Sequence, residues 1–217
     1  MVIAGLATLC LVLAVVPALA QVLYDNGPIS GTVDAWTINY GFVVSDTFTL
    51  LNNSTVTGFD AGLWEFPGDT LLSLDWSVTA MEQGGTLYAS GTASGKNLTD
   101  TFISSNKYGY NIDEISVTGL NVSLNPKTYW LNLANASVAD GDPVYWDENA
   151  GVGCGGDDGK GGNCPSMPSE NGLGTILSEA FTVNGGGGGG TTPEPDSFVL
   201  LASGVLAVAG LLRRKWL

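Results

Sequence analysis

The chain has 217 residues, 21 of them Asp or Glu against seven Lys or Arg, no histidine, and a net charge of −14. Without histidine there is no Ser-His-Asp or Cys-His catalysis, no His-ligated zinc and no histidine general base. The acidic balance argues against nucleic acid and anionic membrane surfaces as partners; it suits solubility outside the cell or the binding of divalent cations.

Residues 1–20 are apolar and end in Ala18-Leu19-Ala20, the small-x-small pattern that signal peptidase cuts. Cleavage between Ala20 and Gln21 would start the mature chain at Gln21. No Lys or Arg precedes the apolar stretch, so an uncleaved N-terminal anchor is the competing reading. Cys10 follows Leu9 and is followed by more apolar sequence, which does not fit a lipidation site. Four lysines accompany the 21 acidic residues between the two apolar ends, so the exported part carries about −17.

Residues 21–184 read as one all-β ectodomain with a sizeable core. Strands are predicted over 35–40, 42–51, 55–66, 71–80, 85–93, 98–104, 110–118, 122–124, 128–136, 143–146 and 175–183. These stretches are rich in Thr, Val, Tyr, Trp and Phe. Turn chemistry separates them: Asn52-Asn53, Pro67-Gly68-Asp69, Gly84-Gly85, Gly95, Asn125-Pro126 and Asp140-Gly141-Asp142-Pro143. About ten short strands at this spacing predict a β-sandwich or jelly roll. Alternation places Leu72, Leu74, Trp76, Val78 and Ala80 on one face, which makes Trp76 a core residue. In the stretch 128–133 it turns Tyr129, Leu131 and Leu133 inward and Trp130 and Asn132 outward.

Outward aromatics flanked by amides and carboxylates are what a sugar-binding surface uses. The candidate set is Trp64, Trp130 and Trp146 as stacking rings, with Asn132 and Asp147 as polar partners; core filling is the competing role. No catalytic residues are assigned. The neighbouring carboxylates Asp113-Glu114, Asp147-Glu148 and Asp157-Asp158 point to opposite faces if they lie on strands, which is not the facing pair that glycoside hydrolysis needs. No cofactor is expected beyond a structural calcium ion, for which the candidates are Asp25 with Asn26, Asp147 with Glu148, and the glycine-rich loop 155–163. Lys160 opposes a cation in that loop. Cys154 and Cys164 flank the loop and predict a disulfide in an oxidising compartment.

Residues 185–192, a six-glycine run and two threonines, read as a flexible linker. The tail from 193 to 217 has three parts: Pro193-Glu194-Pro195, an uncharged apolar run over 197–212, and Arg213-Arg214-Lys215. As a helix the run spans roughly 24 Å, short of the roughly 30 Å hydrocarbon core, and the three cations can reach the interface to close the gap. Positive flanks stay cytoplasmic, so the ectodomain faces outward. A permanent C-terminal anchor is the simpler alternative.

The order and spacing of these parts resemble the PEP-CTERM tail of bacterial surface proteins, which an exosortase recognises and processes. The tail departs from the pattern in having Thr192 before the tripeptide and Lys215 as the third basic residue. The resemblance implies Pro193, Glu194 and Pro195 as the recognition element and Arg213, Arg214 and Lys215 as the stop. It implies signal peptidase and exosortase as partners. The precursor would be held in the inner membrane with its ectodomain outside the cytoplasm, then moved to the cell surface or an exopolysaccharide matrix. The stretch Tyr129-Trp130-Leu131-Asn132-Leu133 also looks like part of the β-rich domains found ahead of such tails. The expected function is a non-catalytic surface or matrix protein. The alternatives are a carbohydrate-binding module for surface exopolysaccharide and a secreted glycoside hydrolase using carboxylates.

Overall fold

A computed structural model describes residues 21–149, 167–168 and 176–187. The expected signal peptide (1–20), the cysteines Cys154 and Cys164, the loop 155–163 and the tail 193–217 lie outside the described residues, and so does the span 197–212.

The described chain is all-β and builds two antiparallel sheets packed face to face. In chain order the strands are β1 (Gln21–Asp25), β2 (Ala35–Thr37), β3 (Val43–Leu50), β4 (Ser54–Glu65), β5 (Ser73–Met81) and β6 (Gly84–Ser94). They continue with β7 (Leu98–Ser105), β8 (Asn111–Leu124), β9 (Lys127–Ser137), β10 (Tyr145–Asp147), β11 (Met167–Pro168) and β12 (Phe181–Gly187). The first sheet centres on β4, which pairs with β8 along one side. On its other side it pairs with β12 over one half and with β10 at the far end. β7 extends the sheet beyond β8, β1 beyond β12, and β2 beyond β10. The second sheet runs β11-β3-β9-β5-β6.

Alternation selects the inner faces. From the second sheet Val44, Phe48, Leu74, Trp76, Val78, Tyr129, Leu131 and Leu133 are buried, and from the first Phe59, Ala61, Leu63, Ile115, Val117, Trp146, Phe181 and Val183. Tyr24 of β1 meets Phe48 of β3 with ring centroids 6.2 Å apart, and Phe59 of β4 meets Trp76 of β5 edge-on at 6.4 Å, so aromatics join the two layers.

The structure corrects the sequence-based boundaries in four places. Leu72 lies before β5 and is 51% exposed, while Leu71 is buried in its stead. A bulge at Val78/Thr79 shifts the alternation, so Thr79 is buried. The predicted strands 110–118 and 122–124 form one long β8, because Gly119 (φ 79°) and the β4 bulge at Val56/Gly58 let the ladder continue. β12 runs on through Gly187, so the first three glycines of the supposed linker pair with Ser54, Thr55 and Val56. At Gly185 a Cβ would collide with the Thr55 carbonyl oxygen, so close approach, rather than flexibility, requires glycine there. β1 and β11 had no expectation: β1 is held by β12 and β11 by β3, pairings that periodicity does not reveal.

Candidate functional site

The tryptophans do not form the expected sugar platform. Trp146, on β10 beside Leu63, points inward, is fully buried, and donates its Nε1–H to the Ala180 carbonyl at 3.1 Å. Trp64, the next residue along β4, points to the opposite face and is 5% exposed. Residues 26–34 cross that outer face, and Tyr108 stacks on the indole with centroids 5.7 Å apart. A pyranose would have no open ring face on either residue. Trp130 is half-buried and lies on the outer face of the second sheet, between Thr47 and Thr79. The three indoles therefore occupy three different surfaces.

Asp147 is a structural acceptor. It is fully buried, its Oδ2 accepts from Ser30 N at 2.7 Å, and its Oδ1 accepts from Gly31 N at 2.9 Å and Trp64 Nε1 at 2.6 Å. Burial pushes its carboxyl up and these three donors pull it back. The donors tie the 26–34 crossing to the sheet. Glu148 beside it accepts from Trp36 Nε1 at 3.4 Å. Of the other candidate pair, Asn26 donates its amide to Asp46 Oδ2 at 2.9 Å and Asp25 Oδ1 accepts from Gly27 N at 2.8 Å.

Asp46 was not anticipated. It alternates with Val44 and Phe48 on the inner face of β3, so its carboxylate enters the sandwich. Its Oδ2 accepts from Asn26 Nδ2 and Ser178 Oγ at 2.9 Å and from Glu179 N at 2.7 Å, and its Oδ1 accepts from Thr47 N at 2.5 Å. Burial pushes its pKa up to about 7, against the lowering effect of those four hydrogen bonds. The site clamps β3 to the segments before β12 and after β1.

Asn132 does point outward from β9, as alternation requires, but only 4% of it is exposed. The bulges near the end of β5 bend the β5–β6 hairpin over the sheet face. There Gln83 N donates to Asn132 Oδ1 at 3.0 Å. Ser45 Oγ donates to the same oxygen at 2.7 Å, and the Asn132 amide reaches Ser77 Oγ at 3.1 Å and Thr79 Oγ1 at 2.9 Å. Beside this hub opens a groove of about 570 Å³ whose lining includes Asp75, Ser77, Gln83, Ser90, Thr92 and Asn132. Its one carboxylate, Asp75, accepts from Thr92 Oγ1 at 2.5 Å and Asn135 Nδ2 at 2.9 Å.

A third polar region also had no expectation. Glu65 on β4, Asp113 on β8 and Asp100 on β7 all point inward from the first sheet, where Leu63, Ile115 and Leu98 set the inner parity. One carboxylate oxygen from each lies within 4.8 Å of the other two. Glu65 is fully buried and Asp113 is 5% exposed. The Leu71 N–H donates to Asp100 Oδ2 at 2.7 Å. Both oxygens of Glu65, Oδ1 of Asp100 and Oδ2 of Asp113 are buried without a hydrogen-bond partner. Burial, then Asp100, Asp113 and Asp69, push Glu65 up to about 8, and burial followed by Asp100 pushes Asp113 up to about 6. The hint in the sequence was an acid at an inward position in each of two strands, Leu63-x-Glu65 and Asp113-x-Ile115. Only strand register could reveal that they converge.

Comparison with family models and with the curated proteins finds no match for this chain.

Proposed function

We propose that this is an exported protein carrying a non-catalytic β-sandwich, sorted through its C-terminal tail to the cell surface or an exopolysaccharide matrix. The observation that carries this reading is the three-part tail: Pro193-Glu194-Pro195, the apolar run 197–212, and Arg213-Arg214-Lys215. Signal peptidase would act between Ala20 and Gln21, and an exosortase would read the tripeptide while the span holds the precursor in the inner membrane. The two-layer antiparallel fold supports the reading, since such sandwiches stand alone as surface modules. So does the bonding of Asp46 and Asp147, whose oxygens are engaged in holding loops and are not available to a substrate. Mass spectrometry of native protein from a host with the processing enzymes is the test. A terminus trimmed near residues 193–195 is expected, and a chain intact through Leu217 would refute the sorting role.

The groove on the second sheet favours a second reading, binding of surface exopolysaccharide. Side chains of Ser77, Gln83, Ser90 and Thr92 line a concave strip with hydroxyls and an amide, with Trp130 further along the same face. A glycan array with the purified full chain tests it. Binding that disappears in Ser90→Arg, which fills the groove, and weakens in Trp130→Ala is the expected result. A hit unaffected by Ser90→Arg would move the site elsewhere.

A further inference from the structure

The geometry points to a divalent-cation site, fitted to calcium, formed by Glu65, Asp100 and Asp113 between the two sheets. Three strands contribute one carboxylate each, and the β4–β5 connection closes over them through the Leu71–Asp100 hydrogen bond. The deciding observation is the state of the oxygens. Glu65 is fully buried, and neither of its carboxylate oxygens has a hydrogen-bond partner. One oxygen of Asp100 and one of Asp113 are in the same condition. Asp46 and Asp147, by contrast, have both carboxylate oxygens bonded to donors. A buried carboxylate without a donor is costly, and three of them together repel one another. A cation at the centre removes both penalties.

The donor set selects the ion. All the ligand atoms are oxygens, and the described domain offers no histidine to soften the site. Calcium binds six to eight oxygens at about 2.3–2.6 Å in flexible geometry, and one oxygen from each of the three residues lies within 4.8 Å of the others, close enough to share such an ion. Magnesium demands near-octahedral geometry and gives up its waters reluctantly, which a buried cage of carboxylates suits less. Waters and backbone carbonyls would complete the shell. The neighbouring group Asp69, Asp140 and Asp142 sits on the adjoining loops; Asp140 is exposed and Asp69 only half-buried, so it serves as a control. The site belongs to the folded domain and holds whether or not the tail is processed.

The test is thermal unfolding of the full-length protein, purified in detergent, in chelator and in calcium chloride at pH 8. The expected result is a rise in Tm of about 4–8 °C at about 10 mM calcium, with a smaller rise in magnesium. The D100N/D113N double variant should lose the calcium response. The E65Q variant should start from a higher Tm in chelator than wild type and gain little from calcium, which separates loss of the ion from loss of the fold. The D140N/D142N double variant should respond as wild type does. An unchanged wild-type Tm in calcium would overturn the inference. So would a response that survives in D100N/D113N or disappears in D140N/D142N. Calcium titration calorimetry on wild type and E65Q gives a second readout that does not depend on unfolding. One site on wild type, lost in E65Q, is expected; the same heat from both proteins would overturn the inference.

Discussion

Asp46 and Asp147 on one side, and Glu65, Asp100 and Asp113 on the other, are two solutions to burying a carboxylate in the same sandwich. Around the first pair the chain supplies donors: backbone N–H groups from residues 30, 31, 47 and 179, an indole, an amide and a hydroxyl. Around the trio it supplies one N–H, from Leu71, and more negative charge. The first arrangement is complete in protein atoms and works as a rivet. The second is complete only with a proton or a cation. Burial alone therefore does not say what an acid is for; the count of donors around it does.

The comparison can be broken most sharply at Asp147. Asp147→Ala strands the Ser30 and Gly31 N–H groups and the Trp64 indole, and should destabilise the domain by about 2–4 kcal/mol in denaturant unfolding, with or without calcium. Glu65→Gln should do the opposite. In chelator at pH 8 it removes a charge that has no partner, and a gain of about 1–3 kcal/mol is expected by the same measurement. A loss there would mean that the Glu65 charge is satisfied in a way the geometry does not show.

The pH dependence sharpens the contrast further. Burial raises Glu65 from its ordinary 4.5 to about 8, and Asp46 and Asp113 from 3.8 to about 7 and about 6. A carboxyl whose folded pKa is raised binds its proton more tightly in the native state. Its contribution is therefore fully present below about pH 4 and is lost as pH rises through the folded value. In chelator, Tm should fall between about pH 4 and pH 8, followed by scanning calorimetry. Calcium should flatten the part due to Glu65 and Asp113 and leave the part due to Asp46. The smallest effect is expected on the exposed loops: Asp140→Asn should change stability by less than about 0.5 kcal/mol.

The hydrophobic alternation of 74–78 and of 129–133, together with the turn residues at 67–69 and 140–143, was enough to read the all-β class and most strands. A period of two and a shortage of helical signals are local properties. The same alternation correctly turned Asn132 outward and Trp76 inward. It failed for exposure. Whether an outward residue meets water depends on what crosses over it, and the Tyr108 and Tyr110 rings against Trp64 and the hairpin tip over Asn132 come from distant parts of the chain. Reading 185–187 as linker failed for a related reason. Glycine looks the same in sequence whether it supplies freedom or close approach, and only the neighbouring Thr55 carbonyl distinguishes them.

What the sequence determined alone was the set of local quantities: the fold class, the absence of histidine chemistry, the acidic surface and the three-part tail. What only the tertiary structure decided was company. Glu65, Asp100 and Asp113 lie far apart along the chain, and their meeting depends on how β4, β8 and β7 align. A shift of one residue in either ladder would turn an acid to the opposite face, and long-range register leaves no mark in the local pattern.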